Sequence, residues 1–165
     1  MAHPQRGRRH GRDVHALTGE PLRAVTQVPV RPGESLIESL GLAPHPEGGW
    51  YRRTWVAESA AGGRPSGSAI YYLLLAGERS APHRIDAVEI WHFYAGDPLE
   101  LVLEWPDGRS DTTVLGPDVA GGQVPQVVVP AGVWQSAQPR GRYALVGATV
   151  SPAFTFDGFE LRHGP

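Results

Sequence analysis

The chain is divided by glycine and proline into short apolar segments, and this pattern constrains its fold more than any other feature. Of its 165 residues, 21 are glycine and 16 are proline, a combined share of about 22% against a usual share of about 12%. Aromatic and β-branched residues dominate the segments between these breaks, as they do in β-strands. The spacing argues against a bundle of long helices and favours an all-β sandwich or barrel.

The same pattern predicts the position of each element. Leu36, Ile37 and Leu40 form a short apolar stripe, and Gly41 stands at the position of a helical C-terminal cap. We therefore expect a single jelly-roll barrel over residues 32–165, with one short N-terminal helix of about two turns. The predicted strands lie at 49–56, 67–75, 82–85, 88–95, 99–105, 110–115, 126–129, 133–138, 142–150 and 156–162.

The N-terminal segment, residues 1–31, differs from the rest of the chain in charge. It carries six arginines against Asp13 and Glu20, which gives +4, whereas the whole chain carries −2 and the remainder therefore −6. The segment has no apolar periodicity and no aromatic residue, so we expect a disordered basic arm, although it could touch nucleic acid or an acidic partner. A body of charge −6 offers no basic face, which argues against nucleic-acid binding as the main function.

Two absences from the composition exclude several kinds of chemistry. The chain has no cysteine, which excludes disulfides, zinc ribbons and thiol nucleophiles. All 15 basic residues are arginine, which excludes a Schiff-base lysine. No apolar run approaches the ~20 residues of a membrane span, and no signal-peptide pattern follows the N-terminal charges. We therefore expect a cytoplasmic protein that contacts no membrane.

Two segments carry residues with a chemically informative spacing. GERSAPHRIDAVEIWHFYAG, at 77–96, contains His83 and Glu89, and PAGVWQ, at 130–135, ends in Gln135. They resemble the two motifs of the cupin superfamily, in which three histidines and a glutamate project into a barrel. Here Ile85 stands at the second histidine position and Gln135 at the third.

The wider sequence resembles one DUF-type cupin family, which is marked by His-Pro-Glu-Gly-Gly and Glu-x-Trp-His signatures. The resemblance covers roughly residues 34–162 and implies a double-stranded β-helix barrel, a homodimer and an internal small-molecule pocket. The sequence departs from the family pattern at two places: Ala87-Val88 stands where Ser/Ala-Asp is expected, and Arg53 stands where a glutamate is expected. The segments that carry it are HPEGGWYRRTW at 45–55, SAIYYLL at 68–74, HRIDAVEIWHFYAGDPLEL at 83–101, PAGVWQ at 130–135 and VSPAFTFDGFEL at 150–161.

Strand parity assigns side chains to the two faces of each predicted strand. Because successive side chains alternate, Trp91 and Phe93 point inward if Glu89 does, and His92 and Tyr94 point outward unless a bulge intervenes. We expect the outward pair to lie in a dimer interface.

These residues favour acid–base chemistry that needs no cofactor. A buried histidine beside a glutamate is a suitable general base, so His83 is predicted to be the catalytic base or acid and Glu89 to orient it. The resemblance to deoxysugar epimerases suggests Tyr72 or Tyr51 as a proton donor. The function predicted is a metal-independent isomerase or epimerase acting on a small organic substrate. Its predicted substrate-binding residues are Arg52, Tyr72, Trp91, Phe93 and Gln135.

Two alternatives remain open at this point. One is a metal-dependent oxygenase or lyase that binds a divalent transition metal through His83, Glu89 and Gln135, with His92 added if a bulge turns it inward. The other is a barrel that binds a ligand without catalysis. His45 and Glu47 flank Pro46 ahead of two glycines, and we interpret them as part of a turn.

Overall fold

A computed structural model describes residues 30–59 and 62–162, which form two antiparallel β-sheets packed against each other. One sheet has the strand order β1-β2-β3-β10-β5-β8, and the other has the order β11-β4-β9-β6-β7. The elements are helix α1 (Ser35–Leu40), strands β1 (Ala43–Pro44), β2 (Trp50–Val56), β3 (Ser68–Leu75), β4 (Ser80–Ile85), β5 (Val88–Gly96), β6 (Leu99–Glu104), β7 (Ser110–Leu115), β8 (Gln126–Val129), β9 (Trp134–Pro139) and β10 (Tyr143–Ser151), a 3-10 helix (Phe156–Gly158) and β11 (Phe159–Leu161).

The predicted all-β jelly roll with one short helix is confirmed over the described residues. Helix α1 ends at Gly41, whose φ of 61° is the left-handed conformation expected at such a cap. The last predicted strand is shorter than expected, because Phe156–Gly158 forms a 3-10 helix before β11. Residues 1–29 of the predicted basic arm lie outside the described residues. In the part of the chain that the structure describes, no helix has the length and apolar character needed to cross a membrane.

The core between the sheets follows from alternation along the strands. On β6, Leu99, Leu101 and Leu103 are buried while the residues between them are partly exposed. From the opposite sheet, Trp91 and Val146 pack into the same cluster. Each sheet thus turns one face inward, and the space left by the core at one end forms the pocket described below.

Candidate functional site

A partly open pocket lies between the sheets, and the space within it, including the part open to solvent, is about 520 Å³. Its residues come from β2, β3, β5 and β10 on one side and from β4 and β11 on the other. Four titratable side chains form what we call the polar end: His45, Glu47, His83 and Glu89. Phe154, Phe156 and Phe159 form an aromatic wall, and Arg53 and Phe156 are exposed at the mouth. An apolar cavity with a few convergent polar groups is typical of a small-molecule site.

The position of Glu47 depends on the tight loop formed by His-Pro-Glu-Gly-Gly. The amide of Gly48 donates to the carbonyl of His45 at 3.0 Å, and the amide of His45 donates to the carbonyl of Gly49 at 3.0 Å. Gly48 has a φ of 107°, and a Cβ at this position would lie 2.3 Å from the Arg79 carbonyl oxygen. The loop therefore requires glycine for its conformation and for its close packing. It turns the Glu47 side chain inward, where only 8% of it is exposed.

Glu47 faces His83 across the polar end of the pocket. The Nε2 atom of His83 lies 3.3 Å from a Glu47 carboxyl oxygen, and its Nδ1 atom lies 2.9 Å from the carbonyl oxygen of Ala81. A carbonyl only accepts hydrogen bonds, so Nδ1 carries a proton and neutral His83 presents the lone pair of Nε2 to Glu47. Ser80 donates from Oγ to the other Glu47 oxygen at 3.1 Å. One proton can therefore be shared between Glu47 and His83.

Burial shifts the pKa values of Glu47 and His83 in opposite directions. It raises the pKa of Glu47 to about 7, against the opposing hydrogen bond from Ser80. It lowers the pKa of His83, against the opposing charge of Glu89. The pKa of His45 falls to about 4 through burial and the nearby charge of His83. Both imidazoles are therefore mainly neutral at pH 7, while Glu47 exchanges between its acid and its carboxylate.

Glu89 is a second buried carboxyl group in the same pocket. Burial raises its pKa to about 7, although the charge of His83 opposes the shift. Gln135 donates from Nε2 to Glu89 at 2.5 Å, and its own side-chain oxygen accepts from the indole of Trp91 at 2.8 Å. This chain of hydrogen bonds fixes Glu89 against the pocket. Two groups that exchange protons near neutral pH thus meet in one cavity.

The structure places both predicted catalytic residues at the pocket, but it corrects how they are connected. His83 and Glu89 line the cavity. The two nitrogens of His83 face Glu47 and Ala81, so the predicted orientation of His83 by Glu89 is wrong. Glu47, which we interpreted as part of a turn, is the carboxyl group that contacts the imidazole.

The predicted substrate-binding residues lie around the pocket and do not line it. Arg52 projects from the other face of β2, lies over the Tyr71 ring at 5.5 Å and borders a groove beside the pocket without lining the pocket itself, so its role as a substrate clamp stays a prediction. Tyr72 is buried behind the loop, where its hydroxyl donates to the Gly48 carbonyl at 2.7 Å. Its pKa is raised well above the ordinary value, chiefly by burial, which makes it a poor proton donor to a substrate. The remaining three, Trp91, Phe93 and Gln135, point inward but pack in or against the core.

The donor set does not fit a transition-metal ion of the kind cupin barrels can hold. The side-chain oxygen of Gln135 is used by Trp91, and Ile85 offers no donor. The β5 bulge comes after His92, opposite Leu145 and Val146, so His92 stays on the outer face, 3.1 Å from the Thr149 hydroxyl. This position agrees with the outward orientation expected from strand parity and contradicts the alternative in which a bulge turns His92 into a metal site. Among residues 30–59 and 62–162, no group of three or more His, Cys, Asp or Glu side chains is arranged to hold a metal.

Several pocket residues were not found by sequence reasoning. Arg53 shares a face of β2 with Tyr51, and strand parity separates it from Arg52 without showing which of the two lies toward the pocket. Glu47 has a weaker signal, which is a charged residue directly before two glycines in a turn. The aromatic wall comes from three phenylalanines in the closing segment AFTFDGFEL, whose spacing follows neither a strand nor a helix.

The double-sheet jelly roll, with a pocket reached by His83 of β4 and Glu89 of β5, defines the protein as a cupin barrel. The family described as Cupin_5, Cupin superfamily (DUF985), matches residues 34–162, and the chain belongs to this family.

Several known proteins are similar to the chain in sequence or in structure. The chain is 28% identical over 151 residues to the uncharacterized protein YML079W of Saccharomyces cerevisiae, which covers 79% of this chain and 75% of the yeast protein. The crystal structure of protein SO0799 from Shewanella oneidensis has 42% identity and a TM-score of 0.76, over 79% of this chain and 84% of that one. A hypothetical protein from Leishmania major has 29% identity and a TM-score of 0.72, over 79% and 86% of the two chains.

More distant structures share the barrel alone. The oxalate decarboxylase of Bacillus subtilis, in its structure at pH 4.6, is 15% identical with a TM-score of 0.58, over 74% of this chain and 31% of that chain. This similarity supports the cupin fold and carries no information about the reaction.

Proposed function

We propose that the protein is an acid–base enzyme of the isomerase or epimerase type, which moves a proton on a small organic substrate without a metal. One observation carries the proposal: Glu47, His83 and Glu89 are buried around a single pocket, and both carboxyl groups have pKa values of about 7. General acids and bases are most effective when their pKa lies near the working pH. Titratable groups whose pKa values are strongly shifted by burial in a cleft are candidates for a functional site.

The two carboxyl groups that exchange protons, Glu47 and Glu89, reach the cavity from different sides. Glu89 belongs to the six-stranded sheet, whereas the backbone of Glu47 is tied to the five-stranded sheet by the Ala81 amide, which donates to the Glu47 carbonyl at 2.7 Å. In the proposed reaction, one carboxylate removes a proton from a carbon beside a carbonyl group, and the C–H electrons form an enolate. The other group, protonated at that moment, returns a proton to the substrate. No electron is gained or lost overall, so the step needs no oxidant.

The proposal predicts that the protein exchanges substrate protons with solvent. Incubation in D₂O with a panel of 2-oxo acids, ketoses and cyclic ketones is expected to place deuterium beside the carbonyl of at least one compound, as followed by proton NMR. Glu47→Gln and Glu89→Gln are each expected to slow this exchange by about 100-fold or more. Glu100→Gln provides a matched control, because Glu100 lies outside the pocket and pairs with Arg140.

The same experiment separates the alternatives. Exchange that disappears after treatment with EDTA, and returns with Fe(II), Mn(II), Ni(II) or Zn(II), would support a metal-dependent cupin enzyme. Binding of panel compounds without any exchange would support a ligand-binding barrel without catalysis. Equal rates in Glu47→Gln and in the wild type would refute the role of the Glu47–His83 pair.

We also propose that the outer face of the six-stranded sheet pairs with a second copy of the chain. Tyr94, Val128 and Val88 are 51%, 53% and 39% exposed on neighbouring strands, and a contiguous apolar patch of this kind commonly marks an interface. Val128→Glu is expected to convert a dimer to a monomer in light scattering coupled to size exclusion. Val119→Glu changes an exposed valine in a loop elsewhere and should leave the dimer intact. A monomeric wild type would contradict the proposal.

A further inference from the structure

Arg53 is a cation at the mouth of a pocket whose other charged residues are acidic. It lies on β2 beside Ile70 of β3, and it borders both the pocket and the outer groove, which also contains Arg52 and Phe156. Arg53 is exposed, and within the described ranges 30–59 and 62–162 it has no ion-pair partner within 4.0 Å. A guanidinium in this position can bind a group on the ligand.

The charges of the pocket are arranged along its length. Glu47 and Glu89 lie buried in the polar end, whereas Arg53 is exposed at the mouth. An anionic group of a ligand would be repelled by ionised carboxylates at the polar end and attracted by the guanidinium at the mouth. The aromatic wall lies in the same pocket and can pack against an apolar ligand body. The pocket therefore favours one orientation, with the anion at the mouth.

The hydrogen-bond donors of Arg53 favour a ligand group that carries one negative charge. A single guanidinium matches one carboxylate through two parallel N–H···O bonds. Phosphate carries about two charges and three acceptor oxygens, and Arg53 is the only cation that lines this pocket among the described residues. The barrel body also carries a charge of −6, which disfavours a dianion more than a monoanion.

We propose that Arg53 selects substrates that carry a carboxylate, holding that group at the mouth while the apolar body of the substrate lies along the aromatic wall and its reactive carbon reaches the polar end. This inference rests on the proposed function for the identity of the reactive end, but recognition of the carboxylate is a binding property that needs no turnover. The substrate class is thus a small organic acid with an apolar body.

Binding of four probes with the same phenyl body tests this assignment. The probes are 3-phenylpropanoate, 3-phenylpropanamide, 3-phenylpropylamine and 2-phenylethyl phosphate, titrated by calorimetry at pH 7.5. Wild type is expected to bind the carboxylate about tenfold more tightly than the amide, the gain typical of a charge-assisted hydrogen bond. Arg53→Gln should remove this preference without changing amide affinity, and Arg53→Glu should make the amine the preferred probe over the carboxylate.

Arg52→Gln is the matched control, because it removes the same charge from the adjacent residue, which borders the outer groove but does not line the pocket. It is expected to leave the preference for the carboxylate unchanged. Equal binding of carboxylate and amide, stronger binding of the phosphate, no binding of any probe, or an equal loss in Arg52→Gln would overturn the assignment. Carboxylate binding that depends on Arg53, in a protein that shows no deuterium exchange, would support this inference and reject the proposed catalysis.

Discussion

At pH 8, Glu89→Gln is expected to be more stable than the wild type by roughly 3 kcal/mol of unfolding free energy, at about 1.4 kcal/mol for each tenfold change in proton affinity. Burial raises the pKa of Glu89 from an ordinary 4.5 to about 7. The folded protein therefore binds the Glu89 proton more tightly than the unfolded chain does, and stability falls as the pH rises through this interval. A neutral glutamine carries no such penalty, and its oxygen can still accept from Gln135.

Urea unfolding of wild type and variant between pH 4.5 and 8.5 measures this difference. The stability difference between the variant and the wild type should be near its lowest at about pH 4.5, grow up to about pH 7, and then stay constant. A difference that does not change with pH, or a variant that is less stable at pH 8, would contradict the placement of Glu89. Glu100→Gln should not gain stability, because its carboxyl group is stabilised by Arg140.

Gly48→Ala is expected to cost more than about 3 kcal/mol of stability and to abolish binding in the pocket. The added Cβ would lie 2.3 Å from the Arg79 carbonyl oxygen, and this backbone atom cannot move without shifting the start of β4. The positive φ adds about 1 kcal/mol to the stability cost, because a residue with a side chain is strained in this conformation. The displaced loop would carry Glu47 away from His83, so the variant should lose the proton-sharing pair even where it still folds.

Gly108→Ala separates the two contributions to this cost. Gly108 also has a positive φ, of 85°, but a Cβ there would meet nothing within 4 Å. Its substitution should cost about 1 kcal/mol, the penalty of the backbone conformation alone. The two costs can be compared by urea unfolding, and equal costs for Gly48→Ala and Gly108→Ala would show that the loop tolerates the clash.

The fold could be predicted from sequence because its signals are local. Turn residues at fixed positions and alternation along β6 predict where strands begin, end and face, and neither depends on distant contacts. Similarly, the parity of β5 correctly places Glu89 toward the pocket and His92 away from it. The exceptions are β1, a two-residue strand that the pattern does not predict, and the closing segment, in which a 3-10 helix replaces the first half of the last predicted strand.

The site was less predictable because its contacts join residues that are far apart in the chain. Glu47 and His83 are 36 positions apart, and nothing in the sequence near either residue reports the loop packing that brings them together. The side chain of Gln135 could have faced a ligand or Trp91, and the hydrogen-bond network of the core favours Trp91. Arg52 and Arg53 differ in sequence by one position but lie on opposite faces of a strand, so choosing between them required the register of β2.

The aromatic wall and the polar end are contributed by different parts of the chain. The three phenylalanines belong to the last dozen described residues, whereas the proton-carrying groups lie on β4, β5 and the loop before β2. Phe159 belongs to β11, which pairs with β4, and its ring lies 5.6 Å from that of His83. Phe154 and Phe156 lie before β11, so substitutions at these two positions can reshape the space for a ligand with less effect on the strand that carries His83. They are therefore the positions at which to alter what this pocket accepts.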